Sequence, residues 1–182
     1  EELAGSISII IYASHEATSN MLGNGLHSLM THRDQWDLLC AQPELGGKTV
    51  AETLRYNAPA QMMTRRACED LQLSGVDIPR GSQPIILYGS ANRDEREFAL
   101  PDTLDLRREK TNHLAFGHGV HVCIGSALAK LEGQIVFETL SQRFPDLQLD
   151  DSFVSQWKPH PVFRGQKALP IRLGRDRGRT DA

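Results

Sequence analysis

The run from Phe116 to Gly125, FGHGVHVCIG, constrains this chain more than any other feature, because it sets a cysteine between a glycine-hinged loop and the start of an amphipathic helix. Ile124, Ala127, Leu128, Leu131, Ile135, Phe137 and Leu140 keep roughly helical spacing, which predicts a helix from Cys123 to Arg143 and Phe144, ended by Pro145. Unpaired backbone N–H groups and the positive end of the helix dipole then face the Cys123 sulfur. Such surroundings favour a metal-binding thiolate over a thiol. Gly117 and Gly119 let the loop fold tightly, and Gly125 removes a side chain where a flat ligand would lie against backbone.

Elsewhere the periodicity is mostly helical. Leu3, Ile7, Ile10, Ile11, Ser14, Thr18, Met21, Leu22 and Leu26 predict one long helix from Glu1 to about Thr31. A second helix is expected from Asp34 to Gln42, capped by Asp34 and stopped before Pro43, and a third from Val50 to Tyr56, ended before Pro59. The period then changes. Alternation around Met62 to Ala67, the Ser74-Gly75 turn within Leu71 to Ile78, and the apolar run Ile85 to Tyr88 after Pro79-Arg80-Gly81 read as short strands. Charges and prolines from Asn92 to Asn112 predict an irregular meander, Pro159 to Leu173 a terminal hairpin, and residues 175–182 a polar, fraying tail beyond a domain spanning 1–174. The chain is therefore expected to be mainly α with small β-sheets.

Composition excludes several function classes. With 40% hydrophobic and 24% charged residues the chain is an ordinary globular one. A formal charge of −3 provides no basic field for nucleic acid. Its apolar runs, the longest around Ile7 to Ala13, fall far short of the roughly 20 residues that cross a bilayer, so no membrane association is expected. Cys40, Cys68 and Cys123 form no CxxC pair, which argues against a disulfide framework and suits a reducing cytoplasm. For Cys123 itself, a buried structural thiol and a zinc site shared with His113, His118 and His121 are the alternatives. The spacing of those four fits no common zinc pattern.

The string HLAFGHGVHVCIGSALAKLE, His113 to Glu132, resembles the haem-binding loop and following helix of the cytochromes P450, with Phe, two Gly, His, Cys and Gly in the family's order and spacing. Two further motifs agree: Glu52-Thr53-Leu54-Arg55 is similar to the ExxR pair, and Ala91-Asn92-Arg93-Asp94 to a segment of soluble bacterial members. The resemblance runs from about Glu1 to Leu173 and implies the C-terminal half of the fold: long central helix, ExxR helix, meander, cysteine haem loop and following helix. The absence of a starting Met agrees with a fragment whose N-terminal half lies elsewhere.

The resemblance implies haem b as cofactor, with Cys123 as axial ligand and Phe116, Gly117 and Gly125 lining it. Thiolate ligation favours cleavage of an O–O bond. It places Arg65 and His121 on the haem propionates, since buried charge needs partners; strand alternation turns Arg66 to solvent, and His113 and His118 are expected to brace the loop and to lie exposed. Glu52, Arg55 and Arg108 are implied to form a buried network holding the meander against the third helix. Substrate is expected against Ile9, Ala13, Ala60, Gln61, Val162 and Phe163, a lining that suggests a small apolar or macrocyclic molecule.

One departure from the family pattern falls on the first helix. Ala13-Ser14-His15-Glu16-Ala17-Thr18 aligns with a segment in which an acid and a following Thr deliver protons during oxygen activation. Here the Thr position is Ala17. Thr18 cannot replace it, because one helical step turns a side chain by about 100°. Glu16 remains as the acid, Ser14 stands where glycine is usual, and substrate or water is expected to supply the missing hydroxyl. The implied activity is a monooxygenase inserting one oxygen atom from O2 into an apolar substrate, as in secondary-metabolite tailoring, with NAD(P)H electrons through ferredoxin and ferredoxin reductase. A peroxide-using peroxygenase and a non-catalytic haem-thiolate binding protein or inactive fragment are the alternatives.

Overall fold

The computed structural model describes residues 2–178. Four principal helices carry the fold: α1 (Glu2–Thr31), α2 (Arg33–Ala41), α3 (Gly46–Tyr56) and, after a long non-helical stretch, α5 (Ser126–Arg143), with a single turn α4 (Tyr88–Ala91) between. The strands are short and pair as three antiparallel ribbons: β1 (Met63–Thr64) with β4 (Ile85–Ile86), β2 (Leu71–Leu73) with β3 (Val76–Ile78), and β5 (Gln148–Leu149) with β6 (Ile171–Arg172). The mainly α architecture with small sheets is as expected.

The core lies where the second half of α1 meets α2, α3 and α5. Leu29, Trp36, Leu39, Val50, Leu54, Phe137 and Leu147 are almost wholly buried there. Burying side chains of this size stabilises by about 1.5–3 kcal/mol each. Close approach is decided by two glycines: a Cβ on Gly25 would come within 2.6 Å of the Phe137 ring, and one on Gly133 within 2.9 Å of Val50. Trp36 Nε1 donates to the Pro145 carbonyl at 2.9 Å, and Arg33 donates to Pro145 and Leu147 carbonyls at 2.7 and 2.6 Å. Those bonds satisfy backbone acceptors just past α5 and fasten α2 across its end.

Several boundaries differ from the sequence reading. α5 begins at Ser126, three residues after Cys123, because Gly119–His121 form a 3₁₀ turn and Gly125 takes the cap position. α3 begins at Gly46; Glu138 packs against that glycine, where no Cβ would fit. His32, and not Asp34, caps α2, and no side-chain bond is made there. Tyr88 leaves the strand and opens α4. The hairpin expected over Pro159 to Leu173 is replaced: β6 returns to β5, Trp157 bridges Gln166, and Phe163 bridges Ala60. Residues 92–118 form the irregular meander. Of the polar tail, 179–182 lie outside the described residues.

Much of the surface that these elements leave open is apolar. Leu3, Ile7, Ile9, Ile10, Ile11 and Tyr12 on the first part of α1 are exposed, as are Leu128, Leu131 and Ile135 along α5.

Candidate functional site

Cys123 is held by backbone rather than by packing. Its N–H donates to the Phe116 carbonyl at 2.9 Å, and its own carbonyl accepts the Ser126 N–H at 3.2 Å, so the loop closes on itself immediately before α5. Gly117 and Gly119 adopt φ of 72° and 76°, a left-handed conformation that only glycine takes without strain. The Cys123 side chain is exposed, and a Cβ on Gly125 would lie 3.9 Å from its sulfur. Val120, Val122 and Ile124 stand out into the same surface, with Ile124 fully exposed.

These residues suit a haem. Haem iron takes a single strong donor from the protein, and the site offers an exposed sulfur beside exposed apolar side chains. No group of three or more His, Cys, Asp or Glu that could hold a metal ion occurs among the described residues, which removes the basis for the zinc alternative. His113 is half-buried and accepts the Ala115 N–H at 3.2 Å; burial, with Lys130 nearby, lowers its pKa to about 4 and keeps the ring neutral. His118 is exposed. His121 is exposed within the 3₁₀ turn.

Arg65 is half-buried while Arg66 is exposed. One Arg65 N–H group approaches the Tyr88 hydroxyl at 3.4 Å, and that hydroxyl lies 3.2 Å from where a Cβ on Gly117 would be. Tyr88, which sequence reasoning read only as strand, thus joins Arg65 to the cysteine loop.

Behind the loop lies a charged network. Arg55 donates to both Glu52 oxygens at 2.8 Å, and to the carbonyls of Asn92, Pro101 and Thr103 at 3.1, 2.7 and 2.9 Å. Arg108 reaches Glu52 at 3.2 Å, and the Asp105 N–H reaches it at 3.0 Å. Glu52 and Arg55 are each 1% exposed, so every charge in the pair depends on these bonds. Asn92 carries the connection onward, since its side-chain oxygen accepts the Leu114 N–H at 2.7 Å.

On α1 the structure gives Glu16 partners that the sequence did not name. Glu16 accepts Lys158 Nζ at 2.9 Å and Asn20 Nδ2 at 3.0 Å, and these hydrogen bonds hold its carboxyl below the usual range. Lys158 also donates to Asn20 at 3.1 Å. Lys158 and Asn20 were not singled out in the sequence; their contact spans more than a hundred residues, and no local pattern signals it. The Ser14 hydroxyl donates to the Ile11 carbonyl of its own helix at 3.2 Å. Ala17 and Thr18 are half-buried.

Four of the six substrate-lining candidates come together. Ala60 bridges Phe163, and the Gln61 N–H donates to the Val162 carbonyl at 2.8 Å. The Gln61 side chain turns to the Ala58 carbonyl at 2.6 Å and lines a polar cavity on that side. Ile9 and Ala13 stay on the exposed face of α1.

Comparison with known proteins places these features in a family setting. The family model "Cytochrome P450" matches residues 44–155. The chain is 43% identical to the biotin biosynthesis cytochrome P450 of Bacillus subtilis (strain 168), over 94% of this chain and 43% of that protein. It is also 43% identical to the cytochrome P450 monooxygenase PikC of Streptomyces venezuelae, over 98% of this chain and 44% of that one. A crystal structure of P450BioI in complex with hexadec-9Z-enoic acid ligated acyl carrier protein superposes with a TM-score of 0.85 at 43% identity, covering 88% of this chain and 42% of that one. The chain thus spans less than half the length of the curated relatives it matches, aligning with their C-terminal part.

Proposed function

The chain belongs to the cytochrome P450 family, and on that premise we propose that it forms the cysteine-bearing part of a haem-thiolate monooxygenase that inserts one oxygen atom from O2 into an apolar organic substrate. The observation that carries this reading is Cys123: an exposed sulfur in a glycine-bent loop, beside exposed apolar side chains, with no group of three or more metal-ligating side chains among the described residues. Bound haem b would supply the oxygen-transfer chemistry, and the Cys123 thiolate would hold its iron.

The protein's own groups have distinct tasks in this proposal. Phe116, Gly117 and Gly125 let the ring lie against backbone, while Arg65 and His121 meet the propionate charges. Glu52, Arg55 and Arg108 fix the meander, and through Asn92 they fix the loop that carries Cys123. Glu16, kept ionised by the Lys158 and Asn20 hydrogen bonds, would take up a proton from solvent and pass it on, so its turn as donor depends on exchange of those bonds. With Ala17 next to it, a substrate hydroxyl or an ordered water completes the relay. Ile9, Ala13, Ala60, Val162 and Phe163 offer apolar surface to substrate, and a fatty acyl group carried by P450BioI's partner supports an apolar class.

Electrons would come from NAD(P)H through a ferredoxin and its reductase. No helix among the described residues is long and apolar enough to cross a membrane, and three free cysteines support work in a reducing cytoplasm. The test is the absorption spectrum of the reduced, carbon monoxide-bound full-length protein. A thiolate-type spectrum lost in Cys123→Ala is expected, and an imidazole-type spectrum, or one unchanged in that variant, overturns the reading. Product formed with redox partners, product formed only with hydrogen peroxide, and no product separate monooxygenase, peroxygenase and non-catalytic binder; Ala17 is the residue that makes the comparison worth running.

A further inference from the structure

We propose that a polar cavity at the C-terminal end of α1 binds a small anion bearing phosphate or carboxylate groups. The cavity holds about 400 Å³ and is walled by His27 and His32 at that end of α1, Asn57 after α3, Arg93 after α4, and Trp157 and Arg164 from the C-terminal segment. Among the described residues no acidic side chain lines it. A pocket of this size suits a small metabolite.

The charges around it do not balance. Arg55, which also reaches the cavity, is matched by Glu52, and Arg93 by Asp102. Arg164 has no carboxylate partner among the described residues. Its Nε donates to the Asn57 side-chain oxygen at 3.0 Å, and its guanidinium lies 3.4 Å from the centroid of the Trp157 ring. Both contacts orient the group and leave its terminal N–H edge without an acceptor among the described residues, and that edge is the one that takes a carboxylate or phosphate as a fork. Arg93 donates through Nε and Nη2 to the Tyr56 carbonyl at 3.2 and 2.6 Å, so neighbouring residues 56 and 57 hold two guanidiniums on one wall. Half-burial and the nearby Arg93 both disfavour the charged form of Arg164. An anion between them relieves both penalties.

The cavity, which Gln61 also lines, lies at the opposite end of α1 from that helix's exposed apolar side chains. Exposed apolar side chains of α1 run from Leu3 to Tyr12, whereas the cavity is reached at His27. At about 1.5 Å per residue, the fifteen helical steps from Tyr12 to His27 separate the two by roughly 22 Å. The haem-thiolate reading is not needed for this inference.

Calorimetric titration of the full-length protein with inorganic phosphate, against potassium chloride at equal ionic strength, tests it. Saturable phosphate binding is expected in the native protein. Arg164→Gln should weaken it at least tenfold, about 1.4 kcal/mol, and Arg164→Lys, which keeps the charge, should retain it within about threefold. Should Arg164→Gln fail to fold, His27→Gln replaces it, with weakening of about threefold or more expected. Absence of saturable binding in the native protein, the result if an acidic side chain of its own fills the cavity, overturns the proposal, as does equal binding by the native protein and either neutral variant. The carbon monoxide spectrum of each sample reports separately on haem ligation.

Discussion

The side-chain oxygen of Asn92 accepts the backbone N–H of Leu114 at 2.7 Å while the Asn92 carbonyl accepts Arg55 at 3.1 Å. One residue therefore ties the buried Glu52–Arg55 pair to the segment leading into the cysteine loop.

Asn92→Ala should leave the Leu114 N–H without its partner. A cost of about 1–3 kcal/mol is expected, measured by denaturant unfolding of the full-length protein. Haem-to-protein ratio should fall in step; unchanged stability and haem content would show that the bond has no positioning role.

Glu52→Gln strikes the same network at its centre. Two buried guanidinium contacts lose their charge partner, and destabilisation of about 3–5 kcal/mol is expected. In contrast, Arg33→Ala at the exposed Asp37 pair removes backbone bonds to Pro145 and Leu147 as well, so its cost should exceed that of Asp37→Ala, which removes only the surface ion pair worth well under 1 kcal/mol.

Lys158→Met removes the strongest hydrogen bond holding the Glu16 carboxyl low. The Glu16 pKa should rise toward its ordinary value, with the Asn20 hydrogen bond still in place. If Glu16 delivers protons, the acid-side limb of the turnover profile should move to higher pH, and a profile superimposable on that of the native protein would remove Lys158 from the proton path.

His113 gives a pH-dependent stability. Its folded pKa of about 4 lies below the ordinary 6.5, so between those values the unfolded chain binds a proton that the native one does not. Stability from this group is therefore full above pH 6.5 and lost progressively as pH falls toward 4, by a few kcal/mol in order of magnitude. His113→Gln should flatten unfolding free energy across that window.

Gly25→Ala tests the helix packing. The added methyl would meet the wholly buried Phe137 ring at 2.6 Å, which cannot swing aside. Overpacking of this kind costs about 1–3 kcal/mol, readable as a lowered Tm.

What the sequence made legible follows how far apart the interacting residues lie. The Cys123 loop, the Glu52–Arg55 spacing and the helical stripes are local, and the structure shows elements at those places. Boundaries set by distant partners were not readable: α3 extends back to Gly46 because Glu138 lies over it, and β6 pairs with β5 rather than folding on its own segment. An apolar run such as Ile85 to Tyr88 says nothing of where pairing stops, and Tyr88 is withdrawn from the strand to reach Arg65 and Gly117. Lys158 meets Glu16 across 142 positions, beyond any periodicity argument.

The bare stripe of Leu128, Leu131 and Ile135 on α5, together with the naked first turns of α1, makes this polypeptide adhesive when it stands alone. Copies prepared without a complementary wall will find that wall in one another. Clumping in dilute buffer, relieved by mild detergent or by co-expression with the remainder, is then a property of the surface and no sign of misfolding.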